Sequence, residues 1–540
     1  MEGESAGRAN SYNRSDVLIA VTQTVSVFET ILVMLAAAVL LLVAARRFRL
    51  PYPVLVALAG AAVALARTDV GFHLDPQLVL ALFVAPVLLD AAYDTSLRDL
   101  KRNWRAVTSL ALLAVGVTTV AVAWVVHALV PDIPWAAAVA LGAIVAPPDA
   151  AATVIVLRDL KLPHRIAVIL EGEALLNDAS ALLIYRSAVA AVAAGGSVGS
   201  ELFAPLFLVS IVGSMIVGPV LAWIVGKTIA GISDAPSSII LQFVSTFGVW
   251  VMAERLGLSP ILTIVAYAMT LARWSPAYSP AHLRVPSYAV WDTAVLVLNV
   301  FAFLTIGLEL GPVMAASRPG ELAHWLGLGG AVLATVIVVR LFWALGAAFL
   351  AQWRIHKGAA PPGGGPAPNW QTGLVVGWAG TRGIVTVATA LALPPTFPDR
   401  PILLFTAFIV TLGTLLLHGL TLRPLLLALN LPGDTTTDYE VAQARVATFD
   451  AALRALGDSQ DEEAEIVRSE LEAERRAAST GSTEERRSAR LGETLRGRVL
   501  AARRERLQEM RRRGDIGDEA FHRVEEELDL AELERASRMS

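Results

Sequence analysis

The sequence has no cysteine, which excludes disulfide staples, thiolate nucleophiles and cysteine-built metal centres. Its eight histidines are scattered, and no Ser–His pair, Cys–His pair or histidine cluster offers a hydrolytic or metal-assisted site. Charge is scarce: 17% of residues are charged, against about 25% in a soluble domain. The first twenty residues hold no apolar run, so no cleaved signal peptide is expected and targeting falls to the first membrane helix. No Gly-rich dinucleotide fingerprint occurs in the polar C-terminal part, which argues against a nucleotide sensor there.

What remains is apolar. Hydrophobic residues make up 55% of the chain, with a mean hydropathy of +0.58. A polar N-terminus (1–21) precedes an apolar block (22–431) and a polar tail (432–540). From Gly433 onward there are 26 acidic residues and 19 arginines but no lysine, so the tail is acidic and the block before it slightly basic. Thirteen stretches reach the roughly 20 residues that span a bilayer as a helix: about 22–45, 51–68, 76–95, 106–130, 135–156, 164–194, 202–230, 237–256, 258–273, 289–311, 323–351, 370–395 and 400–430. The eighth and ninth nearly touch. Basic residues crowd the odd loops: Arg46, Arg47 and Arg49; Arg98, Lys101, Arg102 and Arg105; Arg158, Lys161 and Arg165; Lys227; Arg273 and Arg284; Arg354 and Lys357. The even loops hold only Arg67, Arg255, Arg318 and Arg400. By the positive-inside rule the odd loops are cytoplasmic. This favours thirteen spans over twelve, with the N-terminus outside and the tail in the cytoplasm.

Ionisable side chains inside a span are costly and mark a pathway or a relay. Asp90 ends the apolar run of span three, where a place at the cytoplasmic end is the plainer alternative. Asp149 follows Pro147 and Pro148 in span five. Glu171, Glu173 and Asp178 lie in span six with Asn177, and Arg340 lies mid-way along span eleven. Glu171 is expected at the cytoplasmic interface. Arg340 is too central to snorkel, so it requires a buried partner. The two prolines lack N–H groups and free carbonyls at membrane depth, which is tolerated only against protein or water. A second break is expected at Gly377–Gly383 in span twelve. Paired broken helices form midplane ion sites in transporters. On helix geometry Glu173 and Asp178 stand roughly 140° apart and are not expected to serve one ion together. Asp178 is expected to face the cavity, with Asp149 and Asp90 as candidates beside it. Glu173 is expected to face protein and neutralise Arg340. Alkali cations take oxygen ligands, which the carboxylates, the carbonyl of Pro148, Thr153 and water can supply. Arg382 either supports packing or senses the ion, and His418 reads as packed.

These segments resemble the cation:proton antiporter family of sodium/proton exchangers. The resemblance rests on Arg49-Leu50-Pro51-Tyr52-Pro53, Gly172-Glu173-Ala174-Leu175-Leu176-Asn177-Asp178, Gly307-Leu308-Glu309-Leu310, Gly380-Thr381-Arg382-Gly383 and His418-Gly419-Leu420-Thr421, in this order. It implies an all-α polytopic membrane protein of about 13 helices in inverted repeats with broken crossing helices, followed here by a helical cytoplasmic tail. It implies a homodimer in the cell membrane with a mobile core domain, exchanging Na+, K+ or Li+ for H+. By the same resemblance Asp178 is the essential carboxylate and Asn177 its partner. Asp149 is the acid of the unwound span five and Asp90 an acidic position of span three; Glu173 and Arg340 form a buried ion pair. Asp178 and Asp149 would hold the alkali cation. Two departures concern selectivity. Ala174 stands where the family often has Ser, and Pro148 where it often has Thr.

No cofactor and no nucleic-acid partner is expected. An arginine at 340, where electrogenic relatives carry lysine, cannot release its proton, which favours one cation for one proton. A gated cation channel and a sodium-coupled solute symporter are the competing readings. From Tyr439 the tail reads as helices punctuated by Gly457, Gly481, Gly514 and Gly517. It is expected either to regulate, binding a regulator or itself, or to be a solvated appendage.

Overall fold

Every described regular element is a helix, the solution that lets a chain satisfy its own backbone inside lipid. The computed structural model describes residues 14–48, 50–66, 76–149, 163–195, 200–278, 280–315, 320–358, 368–431, 436–457 and 462–479, with scattered residues between 502 and 532. The chain divides into two compact units, Met1–Gly433 and Asp434–Ser540.

In the first unit α1 spans Arg14–Phe48 and so begins inside the segment expected to be a polar N-terminus. There follow α2 (Tyr52–Ala66), α3 (76–94), α4 (Leu97–Leu129), α5 (Trp135–Val145), α6 (His164–Ala193) and α7 (Ser200–Ile229). Next come α8 (Ala235–Arg255), α9 (Pro260–Tyr278), α10 (Ala281–Leu308), α11 (Glu321–His356), α12 (Trp370–Trp378), α13 (Ile384–Leu391) and α14 (Arg400–Leu429). Each of the thirteen apolar stretches thus contains helix, and the twelfth contains two short ones. Six described helices are long and apolar enough to cross a membrane by length and composition. The 30-residue α6 is about 45 Å long, but its three acids lower its hydropathy.

Two helices carry a widened turn, Leu80–Val84 in α3 and Ser109–Ala114 in α4. In α3 it precedes Pro86, whose missing N–H cannot continue the regular ladder. In α4 it sits against the helix that carries the acids: the Ala111 carbonyl accepts from Ser180 Oγ at 2.6 Å. Small residues set how closely helices approach. α5 is buried all round, from Ala137 and Ala138 through Ala140–Val145, as only a helix inside other helices can be. Its Gly142 faces the backbone of Thr119 on α4. Gly60 on α2 and Gly307 on α10 meet in the same way, each backbone lying where a Cβ of the other would be.

The second unit contains α15 (Thr436–Leu456) and α16 (Glu462–Ser479). Gly457, at φ +61°, closes the first of them, a conformation glycine adopts without strain. Asp450 and Arg475 join the two helices in an ion pair of 2.5 Å. Most of the segments 483–513 and 518–537 lies outside the described residues.

The glycine contact between α2 and α10 gives the first prediction. Gly307→Ala puts a methyl group on the Ala57 carbonyl and the Ala61 nitrogen, and such overpacking costs about 1–3 kcal/mol. Gly327, on the exposed side of α11, has nothing within 4 Å of its Cβ position. There the same change gains about 0.5–1 kcal/mol of helix propensity. Melting of the two variants in detergent is expected to diverge, with Gly307→Ala below and Gly327→Ala at or above the parent. Equal melting points would show that α2 and α10 are not in backbone contact.

Candidate functional site

Both expected breaks are present, and they meet. α5 stops at Val145, and residues 146–149 leave the helix with Pro147 and Pro148 buried. α12 stops at Trp378, and residues 379–383 are non-helical until α13 begins at Ile384. Where the strands of these breaks cross, the Asp149 N–H donates to the Thr381 carbonyl at 2.7 Å. The Thr381 hydroxyl donates back to the Asp149 carbonyl at 2.8 Å. Two hydrogen bonds thus tie one interrupted helix to the other.

A helix that ends inside the protein leaves carbonyls unpaired and a partial negative charge of about half a unit at that end. Each break meets this demand with an arginine. Arg382 is 1% exposed. Its Nε donates to Val145 O at 2.9 Å and its Nη2 to Ala146 O at 3.0 Å, while Nη1 reaches Gly380 O. The end of α5 is therefore capped from the other break. Arg340 on α11 does the same for α12, donating through Nη2 to Val376 O at 3.1 Å and Ala379 O at 3.4 Å.

Glu173 and Arg340 form the expected buried pair. The carboxylate takes Nη1 at 2.5 Å and Nη2 at 3.0 Å, a bidentate contact, and both residues are 3% exposed or less. Further along α6, Asn177 Nδ2 donates to the Pro148 carbonyl at 2.7 Å. Asn177 Oδ1 is buried with no hydrogen-bond partner among the described residues. Asp178, 8% exposed, lies close enough to Asp149 to feel its like charge. Gly383 makes room for Asp149, because a Cβ at 383 would fall on the Asp149 carboxylate. That carboxylate consequently sits at the start of α13, the end of a helix that favours an anion.

The structure brings together Asp178, Asp149, Asn177 and Pro148, with Glu173 and Arg340 one helical face away. Asp90 lines a 530 Å³ cavity whose described lining includes neither Asp149 nor Asp178. Thr153 lies outside the described residues. His418 is buried against the ring of Trp378, with centroids 5.0 Å apart, as expected of a packed residue. Thr381 and Gly383 lie at the crossing; the sequence marked them only as part of the Gly380–Gly383 motif, with no role assigned. A hydroxyl between two glycines inside an apolar span is the signal that points to Thr381. Thr414, whose hydroxyl accepts from the Arg382 N–H at 3.0 Å, carries no comparable mark.

Breaking a buried ion pair from one side costs about 3–5 kcal/mol, because the other charge is left unpaired. Glu173→Ala and Arg340→Ala are each expected to lower thermal stability in detergent. The double variant should recover part of the sum but not all, since Arg340 also caps α12. Strictly additive losses in that double-mutant cycle would mean the two side chains do not interact.

Comparison with known proteins adds a family to this geometry. The family described as sodium/hydrogen exchanger, transmembrane, matches residues 33–428. An uncharacterized Na(+)/H(+) exchanger of Mycobacterium tuberculosis is 28% identical over 93% of this chain and 95% of its own. The exchanger YjcE of Escherichia coli, also uncharacterized, is 29% identical over 94% and 98%. A Bacillus pumilus protein named a sodium, potassium, lithium and rubidium/H(+) antiporter is 29% identical over 70% of this chain and 58% of its own. The solved sodium proton antiporter MjNhaP1 of Methanocaldococcus jannaschii shares the fold, with a TM-score of 0.58 over 75% of this chain and 99% of that one, at 16% identity. With more than two thirds of its length matched by the family, and with the crossed helix breaks in place, the chain belongs to the transmembrane sodium/hydrogen exchangers, a family of multi-pass cation/proton antiporters rather than enzymes.

Proposed function

We propose that the protein exchanges one monovalent alkali cation, Na+ or K+ or Li+, for one proton, and that both bind at Asp178 and Asp149. The observation that carries this reading is the placement of Asp178 and Asn177 against the crossing of the two broken helices. Carboxylate oxygens there, with the orphan Asn177 Oδ1, offer the hard ligands an alkali ion requires. A proton and a cation compete for the same carboxylate, and exposing the site to each side in turn converts that competition into exchange. Thr153 is retained as a further oxygen of this site.

The charges around the crossing support the stoichiometry. Glu173, Asp149 and Asp178 are negative, and Arg340 and Arg382 positive. The set carries one net negative charge when both aspartates are ionised. One proton or one monovalent cation brings it to zero, so both loaded states carry the same charge through the membrane. A divalent ion would leave it positive, and uncompensated charge in low dielectric is costly. Arg340 cannot contribute an additional proton. The ion preference is expected to be broad, because Ala174 and Pro148 supply no side-chain oxygen. The Bacillus pumilus relative's name, with four alkali ions in it, agrees with that expectation.

The same proposal places the protein in the cell membrane as a homodimer, with the N-terminus outside and the tail in the cytoplasm, serving pH and cation homeostasis. Three basic residues of the loops assigned to the cytoplasm stack on tryptophans of their own helix ends. Arg105 lies 5.7 Å from the ring of Trp104, Lys227 4.4 Å from Trp223 and Lys357 3.9 Å from Trp353. Tryptophan and basic residues together mark a membrane interface. Residues 432–540 are assigned to regulation.

The decisive measurement is internal pH in proteoliposomes, at clamped voltage, on adding Na+, K+ or Li+ outside. Asp178→Asn is expected to abolish exchange in a folded, inserted protein, and Asp149→Asn to abolish or strongly weaken it. Substantial cation-driven proton flux through Asp178→Asn would falsify the shared-site reading. A dependence of the parent's flux on membrane voltage would overturn the one-for-one ratio.

Ala174 lies one helical turn before Asp178, on the same face. Ala174→Ser should change the apparent affinities for the three cations while exchange persists. If all three stay the same, position 174 is outside the coordination sphere.

A further inference from the structure

The cavity that holds Asp90 has a chemistry of its own. Four helices converge on it near their ends: the last turns of α3 and α7, the C-terminal half of α9 and the first turns of α10. All four abut loops assigned to the cytoplasmic side. At 530 Å³ it falls within the range of about 300–1,000 Å³ typical of small-ligand sites. Three cations, Lys227, Arg273 and Arg284, face it, and so do three carboxylates, Asp90, Asp94 and Asp292, so its formal charge is zero. Around the opening stand Trp223, Trp274 and Tyr288, 46%, 41% and 51% exposed. The Lys227 ammonium is held at that opening by the Trp223 ring.

The floor differs from the opening. Trp291 Nε1 donates to Gln242 Oε1 at 2.7 Å, Gln242 Nε2 to Ser287 Oγ at 3.3 Å, and the Tyr267 hydroxyl to Ser245 Oγ at 3.0 Å. These polar groups satisfy one another and offer a guest mainly ring surface. A guest's charges must therefore be met by the opening. An anion alone meets three carboxylates there, and a cation alone meets three basic groups. A zwitterion meets both. Its negative part gains further from the N-terminal end of α10, beside Arg284. Carboxylates favour a positive part with N–H donors, whereas a quaternary ammonium would call for a purely aromatic cage.

We propose that this cavity binds the phosphoethanolamine headgroup of a membrane phospholipid. The bilayer is the source because exposed aromatic and basic side chains at helix ends place the opening at headgroup level. The described lining includes neither Asp149 nor Asp178, and occupancy is measured without transport.

The test is native mass spectrometry of the full chain in detergent with added phosphatidylethanolamine, phosphatidylcholine or phosphatidylglycerol of equal chain length, or with soluble O-phosphoethanolamine. Phosphatidylethanolamine is expected to be retained most. Lys227→Gln and Arg273→Gln, both at exposed positions, should each lower its retention about fivefold, the factor for one basic residue lost near a membrane surface. Lys357→Gln, which removes the same kind of tryptophan-stacked lysine outside the cavity, should leave retention unchanged. Equal retention by all three variants would overturn the site. Preferential retention of phosphatidylglycerol or phosphatidylcholine would overturn the zwitterionic or the ammonium reading respectively. Binding of O-phosphoethanolamine as tight as that of the lipid would overturn the bilayer source.

Discussion

Two helices of this protein end where there is no water, and the rest of the site follows from that constraint. A terminated helix leaves carbonyls that hydrocarbon cannot satisfy. At the end of α5 those carbonyls are taken by Arg382, and at the end of α12 by Arg340. Each arginine brings a full positive charge against a partial negative one, so the solution creates a second demand. Arg340 is balanced by Glu173. Arg382 has carbonyls for partners and no carboxylate among its named hydrogen bonds. The carboxylate close enough to act on it electrostatically is that same Glu173. The two caps thereby share one counter-charge on α6.

α6 keeps the two kinds of acid apart by helical geometry. Glu173 looks toward Arg340, and Asp178, roughly 140° further round, looks toward Asp149. Asn177 shares the face of Glu173 but reaches the Pro148 carbonyl, because the broken α5 lies across both. That contact fixes the amide while its oxygen stays unpaired. The prolines are thus more than breakers: the carbonyl of Pro148 anchors Asn177, the residue before Asp178.

Much of this was legible in the sequence. Arg340 stood too deep in an apolar run to lack a partner, and the five-residue spacing on α6 separated Glu173 from Asp178. The Pro-Pro pair and the glycines around Thr381 marked the breaks. What the pattern could not convey is which break caps which. The Arg382 contacts to Val145 and Ala146 run between residues more than two hundred positions apart and use main-chain carbonyls, which every residue possesses. The position of Asp90 was ambiguous for a similar reason. An aspartate closing an apolar run looks the same whether it faces an ion path or a cavity among other helix ends. The widened turns of α3 and α4 left no trace in hydropathy, since they shift a register without changing composition.

The hydrogen bonds described above fall into two groups of helices. Ser180 to Ala111, Trp343 to Ser109, Trp378 to Thr421 and the arginine caps join α4, α5, α6, α11, α12, α13 and α14. Ser214 to Ser259, Gln242 to Ser287 and Tyr267 to Ser245 join the segments of α7 to α10. Within the second group Gly218 lets α7 approach the backbone of Thr263 and Tyr267, and Gly307 does the same for α10 on α2. Directional bonds and glycine contacts resist sliding, because both depend on distances of a few tenths of an ångström. Contacts between apolar side chains resist it far less. The buried Ile261 and Ile264 of α9, and the buried Phe83 and Val84 of α3, belong to the apolar core against which α6 and α13 also pack. The bonds that hold the two breaks therefore lie within the first group, and apolar contacts join it to the second.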